Sequence, residues 1–145
     1  MAIPSTGRNL DLALLVVRLG IGASTFLFHG WGKITGGPER WKGVGGAMTN
    51  LGIDFLPTFW GFLAAFSESV GALLVALGLL FRPSAALLAG TMTVAAISHL
   101  SRPPDSPGAG FAGASHALEL LCVFVALLLV GPGRYALDRY LRRQK

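Results

Sequence analysis

Four long apolar runs separated by short polar or glycine- and proline-rich breaks organise this chain. The first begins near Leu10, passes Phe28 and extends toward Lys33, where Gly36-Gly37-Pro38 breaks it. Later runs cover about Pro57 to Phe81, Ser84 to Leu100 and Ala112–Ser115 to Val130. They are closed by Arg82-Pro83, Ser101-Arg102-Pro103-Pro104 and Gly131-Pro132-Gly133 respectively. A run of about 20 apolar residues is long enough to cross a bilayer as a helix. The pattern therefore predicts an all-α integral membrane protein, a bundle of four transmembrane helices at approximately 10–30, 57–81, 84–100 and 114–130. The last two are expected to be slightly short.

Asp11 suits a helix start, and Pro57 suits a first helical turn. The longest connection, 34–56, carries Trp41, Val44, Met48 and Leu51 at roughly helical spacing, which predicts a short segment in the membrane interface. Span two should present Gly61, Ala64, Ala65, Glu68, Gly71 and Ala72 on one small-residue face and so turn Glu68 inward. Span four offers a second narrow stripe, Ala112, Ser115, His116, Glu119, Cys122, Val123 and Ala126, also expected to face the interior.

Composition agrees with a lipid environment. Of 145 residues 52% are hydrophobic and 13% charged, and mean hydropathy is +0.61, whereas soluble domains carry about 25% charged residues. Four spans with their loops use nearly the whole length, so 1–145 reads as a single domain. Arg8 ahead of the first run raises a cleaved leader, but Arg18 interrupts that run and three spans follow, favouring a retained helix.

The net charge of +5 is concentrated in a basic tail, Arg134, Arg139, Arg142, Arg143 and Lys145. Such a tail meets anionic lipid headgroups; no motif supports nucleic-acid binding. Arg8, Arg82 and this tail give seven basic residues on the terminal side, against Lys33, Arg40, Lys42 and Arg102 opposite. The bias predicts cytoplasmic termini.

Candidate chemistry lies in the ionisable residues at membrane depth, which are expensive in lipid and usually face a partner or a cavity. These are Arg18, His29 and Lys33 on span one, Glu68 on span two, His99 on span three, and His116 and Glu119 on span four. One reading makes them structural, with Arg18 neutralising Glu68 or Glu119. The other makes a polar pocket, weighted toward the end of the bundle away from the termini, that binds a small polar or redox-active ligand.

No metal site is expected. His116 and Glu119 are three apart, but the Glu-x-x-His pairs of a di-iron bundle are missing from the sequence. The sole cysteine, Cys122, excludes a CxxC pair or a cysteine-held iron–sulfur cluster and reads as a small buried apolar residue. No motif for haem or flavin is present. The glycines around Val44 lack the lysine-serine pair of a phosphate loop.

Several landmarks together resemble the DoxX family of small four-helix bacterial membrane proteins. They are Arg18-Leu19-Gly20, His29-Gly30-Trp31-Gly32-Lys33, Glu68 with Gly71, Gly78-Leu79-Leu80-Phe81-Arg82, and the closing Gly131-Pro132-Gly133-Arg134-Tyr135-Ala136-Leu137-Asp138. The family often has serine at the place of Ala136. The resemblance implies a bacterial cytoplasmic (inner) membrane location and association with membrane oxidoreductases, including thiosulfate:quinone enzymes. It singles out Arg18, His29, Lys33 and Glu68 without assigning a catalytic one.

Three functions follow as expectations. The first is a subunit or partner of an oxidoreductase system that binds quinone or a small sulfur compound. The second is a small-molecule transporter, which would need a homo-oligomer because the chain has no inverted repeat. The third is an assembly subunit without substrate.

Overall fold

The computed structural model describes residues 6–142, and among these every regular element is helical. Arg143 and Lys145 of the basic tail lie outside the described residues. Four helices are long and apolar enough to cross a membrane: Gly7–Ile34, Pro57–Leu77, Phe81–Leu100 and Gly110–Val130. The expected four-span all-α fold is the one adopted.

Span one consists of α1 (Thr6–Thr25), a π turn (Phe26–Gly30) and α2 (Trp31–Ile34). A short α3 (Gly37–Gly45) and a 3-10 turn (Gly46–Leu51) follow. Span two comprises α4 (Pro57–Phe66), a second π turn (Ser67–Gly71) and α5 (Ala72–Leu77). Spans three and four are the unbroken helices α6 (Phe81–Leu100) and α7 (Gly110–Val130), and α8 (Leu137–Arg142) closes the described chain.

The break between spans two and three falls earlier than the sequence suggests. Leu79 N donates to Leu74 O at 2.9 Å and Gly78 N to Val75 O at 3.2 Å, with Gly78 at φ 71°, which is a Schellman stop. Arg82-Pro83 then belongs to the first turn of α6, where a missing N–H costs nothing. Span three consequently reaches 20 residues, and span four, which starts at Gly110, reaches 21; at about 30 Å each, neither is short.

Lipid tails are as apolar as leucine, so shape-matched packing, rather than burial from water, holds such helices together. α6 lies along α7, and α1 packs on α5. The large buried contacts are Val75, Phe81, Leu88, Met92, Leu120, Phe124 and Leu127, with Leu14 and Ile21 of α1 against them. Elsewhere small residues permit backbone contact: a side chain on Gly30 would fall on the Glu68 carbonyl, and one on Gly61 on the Trp41 carbonyl.

The 34–56 connection is helical where an interfacial segment was expected, although it tightens into a 3-10 turn after Gly45. It is fastened to the bundle. Trp41 Nε1 donates to Lys33 O at 2.8 Å, and the Trp41 ring meets Phe62 edge-on at 5.0 Å.

Candidate functional site

Both helices that carry the central ionisable residues are interrupted by π turns at those residues. His29 lies in the turn Phe26–Gly30 and Glu68 in the turn Ser67–Gly71. A π turn adds one residue to a helical turn, and such insertions are frequent at functional sites. The two turns touch each other, because Gly30 brings the span-one backbone onto the backbone of Glu68 and Ser69. Ser69 Oγ donates to Ala65 O at 2.6 Å within its own helix.

Glu68 is 2% exposed and forms an ion pair with Lys33 through Oε2 and Nζ. Span one therefore contributes the cation and span two the anion, one helix turn beyond the Gly30 contact. Charges taken out of water need this kind of mutual satisfaction, since an uncompensated one in a low-dielectric interior costs several kcal/mol.

Next to this pair, His29 Nε2 and His116 Nε2 are 3.0 Å apart, and their rings stack at 5.0 Å. A hydrogen bond between two such nitrogens needs a donor and an acceptor, so one ring holds its proton on Nε2 while the other presents a lone pair there. His99 Nδ1 donates to Gly108 O at 2.7 Å. Because a carbonyl only accepts, the His99 proton is on Nδ1, and in the neutral ring Nε2 is an acceptor.

These groups line two cavities. The smaller, of about 150 Å³, is bounded by His29, Lys33, Glu68, His99 and His116, with Met92 and Leu120 beneath. The larger, of about 320 Å³, is an apolar cleft between α3, span two and α6. Met48, Trp60, Ala64, Gly90 and Val94 are among its walls, and Lys33 and Glu68 are its charged lining residues. Lys33 and Glu68 line both cavities. The sequence reading overlooked the cleft, because its walls are ordinary apolar and small residues with no chemical signature of their own.

Five of the seven residues singled out in the sequence, His29, Lys33, Glu68, His99 and His116, thus meet around one cavity. Arg18 and Glu119 do not. Arg18 is 2% exposed but sits at the terminal end, where Nη1 donates to Pro132 O at 3.2 Å and Nη2 to Tyr135 O. It neutralises neither carboxylate. Gly78 makes room for it, since a side chain there would fall on Arg18 Nη1. The same end is held by Arg134 N donating to Asp11 Oδ1 at 2.8 Å and Asp138 N donating to Gly78 O at 3.2 Å.

Glu119 points out of the bundle, and so do Ala112, Ser115, Cys122 and Ala126, contrary to the interior placement expected for this stripe. The opposite face of α7, Ala114, Ala117, Leu120, Phe124 and Leu127, is the buried one. The larger side chains on that face supply more packing against α6, which decides the rotation of the helix. Cys122 is accordingly exposed rather than buried.

The described residues include no group of three or more His, Cys, Asp or Glu side chains placed to hold a metal ion. The class is a four-span helical membrane protein with one polar and one apolar cavity sharing an ion pair. Comparison with known proteins gives the family. The DoxX family model matches residues 13–100, and the chain belongs to the DoxX family. It is 30% identical over 135 residues to Inner membrane protein YqjF of Escherichia coli (strain K12), covering 92% of this chain and 95% of that protein. No solved structure matches.

Proposed function

We propose that this DoxX-family protein resides in the bacterial inner membrane and binds a quinone-like molecule for a membrane oxidoreductase partner. The observation that carries this reading is the 320 Å³ apolar cleft that ends on the Lys33–Glu68 pair. Small-molecule sites combine a mostly apolar wall with a few placed polar groups, and volumes of about 300–1,000 Å³ are usual. A quinone ring with the first part of its tail matches that chemistry. Its carbonyl oxygens would accept from Lys33 Nζ, and Glu68 would accept from the hydroxyl of the reduced form. Electrons would come from the partner. The inner-membrane location is supported by the similarity to YqjF of Escherichia coli.

Trp60 in the cleft wall provides the test. Titration of purified protein with a short-chain ubiquinone analogue should quench tryptophan fluorescence saturably. Gly90→Leu should abolish that quench, because Gly90 lines the cleft and a Cβ added there meets no atom within 4 Å, so the larger side chain would grow into the cleft. Absence of saturable quenching in the parent protein sinks the reading.

A transport role draws on the one ion pair that lines both cavities, an arrangement that a gated path would need. Proteoliposome uptake of thiosulfate or another small sulfur anion that Glu68→Gln abolishes would favour it over quinone binding.

A further inference from the structure

Glu119 occupies the middle of span four and faces away from the bundle, and it makes no hydrogen bond or ion pair among the described residues. Lipid tails offer a carboxylate no donor. The outward positions of the same helix are Ala112, Ser115, Glu119, Cys122, Ala126 and Leu129, spaced alternately three and four residues apart. That 3.5-residue period is the seam of a left-handed helix pair, and five of its six side chains are compact enough for close approach or polar contact.

The chain also carries a complement to its own carboxylate. His116 is one turn from Glu119 on a neighbouring strip of the helix, it is exposed, and among the described residues its hydrogen bonding is through Nε2 alone, with His29. We infer that span four pairs with span four of a second copy about a two-fold axis along the membrane normal. In that pair the Nδ1–H of His116 donates to the partner subunit's Glu119, twice by symmetry. A two-fold interface uses the same patch on both copies, as this self-complementary patch requires.

The pairing completes the histidine site. With Nδ1 donating to a carboxylate, the neutral His116 ring presents Nε2 as an acceptor, and His29 must donate from its own Nε2. The second copy thereby fixes the direction of the His29–His116 hydrogen bond. This inference does not depend on which ligand occupies the cleft.

Cys122, the sole cysteine, lies on the seam one turn from Glu119 and makes the test direct. Membranes containing the full chain are treated with copper(II) phenanthroline, which removes two electrons and two protons from a pair of thiols as the S–S bond forms. The expected product is a disulfide-linked dimer. Cys122→Ala combined with Leu73→Cys, which moves the thiol to an outward position on span two, should give no disulfide-linked dimer. Ala126→Trp and Glu119→Lys alter only the outward face and should each reduce cross-linking at least ten-fold, with helix content unchanged and elution shifted from the dimer to the monomer position. Cys122 remaining monomeric would overturn the inference. So would equal cross-linking from Leu73→Cys, undiminished cross-linking in Ala126→Trp, or capture of a different protein at Cys122.

Discussion

Lys33 and Glu68, 35 positions apart in the chain, are joined in the interior so that a single ion pair forms one wall of the histidine cavity and the end of the apolar cleft. The Lys33 side chain is 24% exposed and that of Glu68 3%. The lysine is therefore the more accessible partner and the carboxylate the more enclosed one.

Breaking this pair from the lysine side leaves a buried carboxylate. Lys33→Met should lower stability by about 2 kcal/mol, below the ~3–5 kcal/mol typical of fully buried pairs because Lys33 retains some access. Lys33→Met with Glu68→Gln should recover at least half of the loss. Unfolding by denaturing detergent in mixed micelles, run as a double-mutant cycle, measures the coupling. Strictly additive losses would mean that the charges do not support one another.

The Arg18 fork is matched to two carbonyl acceptors, and lysine cannot reproduce it. Arg18→Lys should keep the fold yet loosen the terminal clasp, costing about 1.5–3 kcal/mol for hydrogen bonds made by a charged group. Brief trypsin treatment provides the readout. Cleavage after Arg134 and Arg139 should accelerate in the variant and remain slow in the parent chain.

Gly30 is where spans one and two touch. Gly30→Ala should cost about 1–3 kcal/mol through overpacking. It should also weaken binding in the cleft, since Lys33 lies one turn farther along the displaced helix. Gly43→Ala, where an added methyl meets no atom within 4 Å, is the control and should leave binding unchanged without lowering stability, since alanine is the better helix former in α3.

Nitrogen NMR of labelled imidazoles reports the histidine pair. At a pH where both rings are neutral, His29 and His116 should show opposite tautomers, and His116→Ala should alter the His29 signals. Identical tautomers with no response to that substitution would mean the two rings do not share a proton.

The basic residues predict that the termini face the cytoplasm. A phosphatase fused after Lys145 should be inactive, and a fluorescent protein at the same place bright; the reverse pattern would invert the membrane orientation.

Hydropathy and helix-breaking residues were sufficient to find the four spans, since both act locally. The small-residue face of span two likewise located Glu68, because Gly61, Ala65, Gly71 and Ala72 are buried with it. Span four was different. Its two stripes were each compatible with an interior, and lipid and protein core are equally apolar, so periodicity alone did not choose between them. Arg18 escaped prediction for another reason: its acceptors are main-chain carbonyls, which leave no mark in residue identity. The π turns added a further obstacle by shifting the helical phase of the residues beyond them.

The Arg18 clasp also has a temporal consequence. Its acceptors, Pro132 and Tyr135, lie 114 and 117 residues downstream. During synthesis the guanidinium enters the membrane before spans two to four are made, and its final acceptors emerge only after span four. Until then the insertion machinery, water or a lipid phosphate must accommodate the charge. Span one can take its finished position only after span four and the segment that follows it have been made, so a chain truncated before Pro132 would be recognisable to membrane quality control by an arginine still seeking its acceptors.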